Sequence, residues 1–364
     1  MIKLLIGGSP CTYWSIAQKN NRETTAEGLG WELFKNYLVA KEKFKPDFFL
    51  YENNKSAAQA IKEQIKKELK VWDGTLLMED TGARYIEINS ALVSAQNRQR
   101  FYVHNCGEVG QPEDRGILLR DILESGIGWT DKSYALTTRD SSAIPEDTLK
   151  RKRHTMVAEP VRVGALPRPN GELSTNQSMR VYSVDGKSVT QSAGECEITT
   201  DGTKKNAKPI YEVKDGLITI KGKQYPIKLA DGFYIIRKLT VTECARLQTM
   251  PDDYCRYGRE NGITKLMSSS QAYKGLGNGW TAEVIIHILN GALKDIPRDE
   301  EIVVLSMYDG IGTGRYCLDK MGFTNVKYYA YEIDKYAKQI AMSNYPDIIQ
   351  MGDAFALRND NWSL

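Results

Sequence analysis

The chain has 364 residues, of which 41% are hydrophobic and 26% charged, and its net charge is only +3. That is enough apolar sequence to bury a core across about two lobes, and the near balance excludes a uniformly basic coat, so any polyanion site must come from local clustering. No apolar run reaches the roughly twenty residues of a membrane span, and no basic region precedes the short N-terminal apolar segment, so neither a membrane anchor nor a secretory signal is expected. The expectation is a cytoplasmic protein with reduced cysteines. Its six cysteines show no CxxC or paired Cys/His spacing, and His104, His154 and His287 are scattered, so no metal site is expected.

The first element is an apolar strand at 3–6 that ends in Gly7-Gly8-Ser9-Pro10-Cys11. A strand that closes in glycines and delivers a cysteine onto a turn exposes a thiol at a sheet edge, although a buried structural thiol is the commoner role of a single cysteine. A helix-like segment at 23–43 leads to a second strand at 47–51, followed by Glu52-Asn53. If the two strands are parallel neighbours, their C-terminal ends bring Cys11 and Glu52 to one rim, where open α/β sheets bind ligands. Gln96-Asn97-Arg98-Gln99-Arg100 then runs into Phe101-Tyr102-Val103, an alternating pattern that predicts Arg98 and Arg100 on one strand face.

From about 110 to 236 the composition shifts toward Gly, Thr and Ser with short alternating strands, and 217–227 predicts a hairpin. The run Lys150-Arg151-Lys152-Arg153, with Arg139, His154 and Arg162 nearby, is either a solvated face or a phosphate contact. Thr240-Val241-Thr242-Glu243 predicts a helix capping box. Asn278-Gly279-Trp280 follow a glycine-containing turn ahead of a helix at 281–294. A buried-strand pattern at 302–308 gives way to Asp309-Gly310-Ile311-Gly312-Thr313-Gly314 and a helix through Met321. Such a turn lets backbone amides approach a ligand closely, in nucleotide and dinucleotide sites alike. The next strand, 327–331, ends in Glu332-Ile333-Asp334, where an acid can accept from two ribose hydroxyls; a third ends at Gly352-Asp353, placed to accept from an adenine amino group.

Taken together, GGSPC at 7–11, YENN at 51–54, QNRQR at 96–100, RKLTVTECARLQTMPDDY at 237–254 and SQAYKGLGNGW at 270–280 resemble the DNA cytosine-5 methyltransferases, over most of the chain outside the central insert. The resemblance implies an α/β, doubly wound Rossmann-like methyltransferase sheet with a smaller β-rich target-recognition domain, S-adenosyl-L-methionine as cofactor and double-stranded DNA as partner, in a monomer of phage or bacterial type. It also implies a circular permutation, because the glycine-turn segment that this family places first stands last here. The implied organisation is a catalytic part at 1–109, a recognition domain at 110–236, a returning segment at 237–293, a linker at 294–301 and a cofactor part at 302–364.

By the same resemblance Cys11 is the nucleophile toward C6 of cytosine, Glu52 supports N3, Arg100 the O2 side and Arg98 a phosphate. Tyr308, Asp309, Gly310, Gly312, Gly314, Glu332, Ile333, Asp353, Asn278 and Trp280 fall to the cofactor, with core packing an equal reading for Trp280. Ser15, Gln18, Arg180, Thr190, Gln191 and Arg237 fall to DNA, with 18–22 as a mobile loop closing over a flipped base. Thr12 and Ile333 depart from the residues usual after the cysteine and after the ribose acid, and Gln191 departs from the usual Thr-Leu pair. An RNA cytosine-5 methyltransferase of the same family and a non-catalytic DNA-binding subunit are the alternatives.

Overall fold

The structure is a computed structural model that describes residues 1–15, 22–72, 74, 80–165, 180–182 and 209–359. Gln18, Thr190, Gln191, most of the 18–22 loop and the end of the tail lie outside the described residues.

A seven-stranded sheet organises the chain, in the order Ile349–Gly352, Val326–Tyr331, Ile302–Met307, Ile2–Gly7, Phe48–Asn54, Gln99–His104, Arg84–Asn89. The first five strands run parallel; Gln99–His104 is antiparallel to both of its neighbours. All six residues of Ile302–Met307 are buried, as are Leu4, Leu5 and Ile6, because helices cover both faces of a parallel sheet and its central strands read as unbroken apolar runs. Leu4, Ile6, Leu50, Ile302 and Val304 pack on one side with Ile285, Leu289 and Leu318; Leu5, Phe49, Tyr51, Val303 and Leu305 pack on the other with Phe34, Tyr37, Ile61 and Ile65. This is the doubly wound arrangement expected.

The strand that precedes Cys11 lies directly beside Ile302–Met307, in register Leu4 to Val304. Ile2 N–H donates to the Glu301 carbonyl at 2.8 Å, and the N-terminal ammonium pairs with Glu300. At the other end, Arg358 is anchored on the Gly28–Phe44 helix through Asn36 Oδ1 at 2.7 Å and Glu32 at 3.0 Å. That helix starts at Gly28, later than the sequence predicts. Glu23 is occupied otherwise: its carboxylate accepts from the Trp14 indole at 3.0 Å and from Gly30 N–H at 3.1 Å, tying the turn after Cys11 to the helix start.

A separate five-stranded antiparallel sheet, in the order Lys223–Pro226, Leu217–Ile220, Ile210–Lys214, Gly232–Lys238, Met156–Pro160, carries its own small core of Val213, Ile218, Ile220 and Tyr234. The expected hairpin is its Leu217–Ile220 and Lys223–Pro226 pair. Arg180 belongs to a short strand, Arg180–Tyr182, paired with Arg162–Ala165. No helix among the described residues is long and apolar enough to cross a membrane.

Candidate active site

The C-terminal ends of the parallel strands open onto a cavity of about 490 Å³, within the usual range for a small-molecule site. Gly8, Ser9, Pro10, Thr12, Glu52, Arg98, Arg100 and Trp280 line one part; Tyr308, Asp309, Gly310, Glu332, Ile333 and Asp353 line the other. Cys11 begins a 3₁₀ turn, Cys11–Tyr13, and the residues on either side of it both border the cavity.

The loop before Cys11 is held from behind. Asn53 Nδ2 donates to the Ser9 carbonyl at 2.9 Å and to the Tyr51 hydroxyl at 3.0 Å, and the Ser9 and Tyr51 hydroxyls are 2.8 Å apart. These groups are buried and satisfy one another, so they fix the loop against the Phe48–Asn54 strand. Glu52, on the same strand, turns its carboxylate into the cavity. Arg100 Nε lies 2.9 Å from Oε1, and the Trp280 indole N–H donates to Oε2 at 3.0 Å. Gly8 has to be glycine here, since a Cβ would sit 2.6 Å from the Glu52 carbonyl oxygen and 2.8 Å from Oε2.

Arg98 does not share Arg100's task. It stands at a break between Gln96–Asn97, which pairs with Ser133–Tyr134, and Gln99–His104 in the main sheet, so no single strand carries both arginines. Only 3% exposed, its guanidinium donates to the carbonyls of Leu136 at 3.0 Å, Gly277 at 3.2 Å and Gly279 at 2.8 Å. The expected phosphate contact is thereby corrected: Arg98 is committed to main-chain acceptors. Arg237 is corrected in the same way. It donates to Glu243 through two nitrogens at 2.8 Å each, to Glu159 at 2.5 Å and to the Ser125 carbonyl at 2.6 Å. Glu243 also closes the capping box with Thr240. Asn278 borders the cavity but ends the Ser269–Asn278 helix, with Gly275 and Gly277 inside it, where the sequence predicts a turn. Ser15 is within 3.5 Å of Asn54 Nδ2.

The other half of the cavity is built from three strand-to-helix turns. Gly310 has φ +65° with open space where a Cβ would be, and Gly312 caps the Thr313–Lys320 helix with φ +80°. Gly314 serves packing instead of ligand approach, since its Cβ would lie 2.2 Å from Ile6 Cδ1 and 2.5 Å from the Tyr328 hydroxyl. Glu332 is more occupied than its sequence position implies. Oε2 accepts from Gly310 N–H at 2.8 Å, and Oε1 accepts from the amides of Ile333 at 2.8 Å and Asp334 at 2.7 Å. A carboxylate offers about four acceptor sites, so one further donor is accommodated without rearrangement. Asp353 caps the turn that follows it through Phe355 N–H at 2.9 Å. Ile333 is 71% exposed at the cavity rim.

Asp309 is the unexpected member. Its Oδ1 accepts from the hydroxyls of Ser306 at 2.7 Å and Tyr328 at 2.6 Å, while Oδ2 is buried with no hydrogen-bond partner among the described residues. Burial pushes its carboxyl up to about 6, against those two hydroxyls, with the Glu332 charge adding to the rise. An orphaned carboxylate oxygen bordering a cavity suits a cationic ligand group, and S-adenosylmethionine carries an ammonium and a sulfonium. The donor and acceptor set therefore fits that cofactor.

Among the described residues outside the Cys11 turn, Cys106, Cys244, Cys255 and Cys317 are free and buried; burial pushes the thiols of Cys106 and Cys255 up to about 12. They are structural thiols. No group of three or more potential metal ligands occurs among the described residues.

A family model described as C-5 cytosine-specific DNA methylase matches residues 1–294. The Type II methyltransferase M.FnuDI of Fusobacterium nucleatum is 24% identical over 315 residues, which are 82% of this chain and 78% of that protein. Among solved structures, the Dnmt2 methyltransferase of S. pombe aligns over 73% of this chain and 74% of its own at 12% identity and a TM-score of 0.36. A Spodoptera frugiperda DNMT2 mutant aligns over 79% and 78% at 13% identity and a TM-score of 0.37. With four-fifths of its length matched by the family model and the rim of its sheet built as above, the chain belongs to the C-5 cytosine-specific DNA methylase family and is an S-adenosylmethionine-dependent cytosine-C5 methyltransferase.

Proposed function

We propose that the protein methylates C5 of a flipped-out cytosine in duplex DNA through a covalent Cys11 adduct at C6. C5 is too weak a nucleophile to take a methyl group directly, and addition of a thiolate at C6 raises its electron density. As the Cys11 sulfur bonds to C6, the ring's electron pair moves toward N3 and O2. Glu52 supports N3 and Arg100 supports the O2 side. The cofactor, when bound, would supply an electrophilic methyl group on a sulfonium, which C5 takes with its raised electron pair as the methyl–sulfur bond breaks and its electrons stay on sulfur as a neutral thioether. The C5 proton then leaves to water and the C6–S bond breaks, returning the thiolate. A base stacked in a duplex exposes neither face of C6, so extrusion into the cavity must precede addition.

The observation that carries this reading is the convergence of the Cys11 turn, Glu52 and Arg100 on one cavity that also reaches Asp309, Glu332 and Asp353. For the cofactor, Asp309 would face the ammonium, Glu332 a ribose hydroxyl and Asp353 the adenine. Duplex DNA is favoured over RNA by the Type II name of the bacterial relative and by the separate β-sheet at 156–238, which would carry target recognition. We infer further that the chain is circularly permuted: its 302–353 segment, which the family order puts first, sits beside the strand leading to Cys11. Methyl transfer from labelled cofactor to duplex DNA and to tRNA, in parallel, tests the substrate. Label in duplex DNA and none in tRNA is expected; label confined to tRNA would overturn the DNA assignment.

A further inference from the structure

Resting on the cytosine-C5 reading above, we propose that Trp280 is a positioning residue for Glu52, aiming its carboxyl at the place where N3 of the base arrives. The two carboxylate oxygens are held from opposite parts of the chain: Oε1 by Arg100 on the Gln99–His104 strand, and Oε2 by the Trp280 indole N–H at the junction of two helices. With one oxygen secured by each, neither carboxyl torsion is left to rotate.

Trp280 is itself clamped. The Gly279 carbonyl accepts from Arg98 Nη2 at 2.8 Å and from Gln248 Nε2 at 3.1 Å, and Gln248 Nε2 also reaches the Leu276 carbonyl at 2.6 Å. On the other side, the Thr281 hydroxyl donates to Gln248 Oε1 at 2.9 Å and lies 2.9 Å from the Ser90 hydroxyl. Gln96 completes the group through Gln248 Oε1 at 2.9 Å. Arg98, Gln96, Gln248, Thr281 and Ser90 are all buried, so this polar cluster fixes the backbone on both sides of the indole. The cluster explains why a buried arginine is spent on main-chain carbonyls beside a catalytic cavity. Catalysis is sensitive to misplacement of a reacting group by about 1 Å, and a part-buried indole N–H donating to a carboxylate supplies a directional hold that a phenyl ring cannot.

The test must separate this hold from cofactor contact, because Trp280 borders the same cavity. Duplex DNA carrying 5-fluorocytosine reports the rate of adduct formation in single turnover at saturating S-adenosylmethionine. Trp280→Phe and replacement of Trp280 by benzothienylalanine, which keeps the bicyclic shape but lacks the N–H, are compared with wild type. Adduct formation should slow about tenfold or more in both variants, the range expected for losing a hydrogen bond to a charged group, while calorimetric cofactor affinity stays within about twofold. In a Glu52→Gln background Trp280→Phe should cost little more, because the two act as one unit. An unchanged rate, a deficit that disappears with more cofactor, or full additivity with Glu52→Gln would overturn the proposal. A wild-type protein that forms no adduct at all would instead overturn the reaction on which it rests.

Discussion

Arg98 Nη2 donates to the Gly279 carbonyl at 2.8 Å, joining the start of an edge-side strand to the end of the Ser269–Asn278 helix. Removing that side chain takes the donor from the buried Leu136 and Gly277 carbonyls and leaves the Gly279 carbonyl with Gln248 alone. Arg98→Ala should therefore lower unfolding free energy by about 3 kcal/mol or more, read from the denaturant midpoint, with Arg98→Lys a poor substitute because one ammonium cannot span three acceptors. The salt slope of DNA binding should stay unchanged. A slope reduced by about one unit with unaltered stability would restore the phosphate role.

Asp309 makes apo stability depend on pH. Its folded carboxyl is raised to about 6 from 3.8, so the folded state holds a proton that the unfolded state releases, and stability falls as pH rises from about 4 to 6, then levels. The total is about 3 kcal/mol, at 1.36 kcal/mol per pKa step. In thermal unfolding across that window, Asp309→Asn should lack the decline, so its stability relative to wild type should rise with pH. Parallel curves for the two proteins would show that the carboxyl does not titrate there.

Glu332 joins two turns through three backbone amides. Glu332→Gln keeps the shape but turns an acceptor into a donor facing amide donors. Cofactor affinity should drop by about 1.5–3 kcal/mol by calorimetry, the cost of losing hydrogen bonds to a charged group. Unchanged affinity would detach Glu332 from the cofactor.

The permutation proposed above predicts that residues 364 and 1 can be joined. With Ile2 bonded to Glu301 and Arg358 anchored on the Gly28–Phe44 helix, a short linker joining 364 to 1, with the chain reopened near Pro297, should give a folded, active enzyme. A well-folded but inactive product, with wild-type cofactor affinity, would argue against equivalence of the two orders.

What could be read from sequence followed from local chemistry. Apolar runs at 3–6 and 302–307 predict buried parallel strands, and the glycine and acid positions after 307, 331 and 352 predict the rim, because strand ends and turns are written in neighbouring residues. The partners of long polar side chains are not local. Arg98 and Arg237 read as free cations, yet their acceptors come from residues as far away as Gly279 and Glu159. The capping box at Thr240–Glu243 was the one available hint for Arg237, since a buried Glu243 needs a cation. Trp280 reads from sequence as a cofactor or core residue because nothing at 280 points to Glu52, which is 228 positions earlier. The amides holding Glu332 were equally invisible, as backbone donors carry no sequence signature.

The most direct test is the site of covalent attachment. A duplex with 5-fluorocytosine at the target position, incubated with S-adenosylmethionine, should trap a denaturant-stable complex, because fluorine cannot leave C5 as a proton does. Peptide mapping by mass spectrometry should place the adduct on Cys11, and Cys11→Ala should abolish it. An adduct on Cys106, Cys244, Cys255 or Cys317, or a complex that persists in Cys11→Ala, would contradict the account.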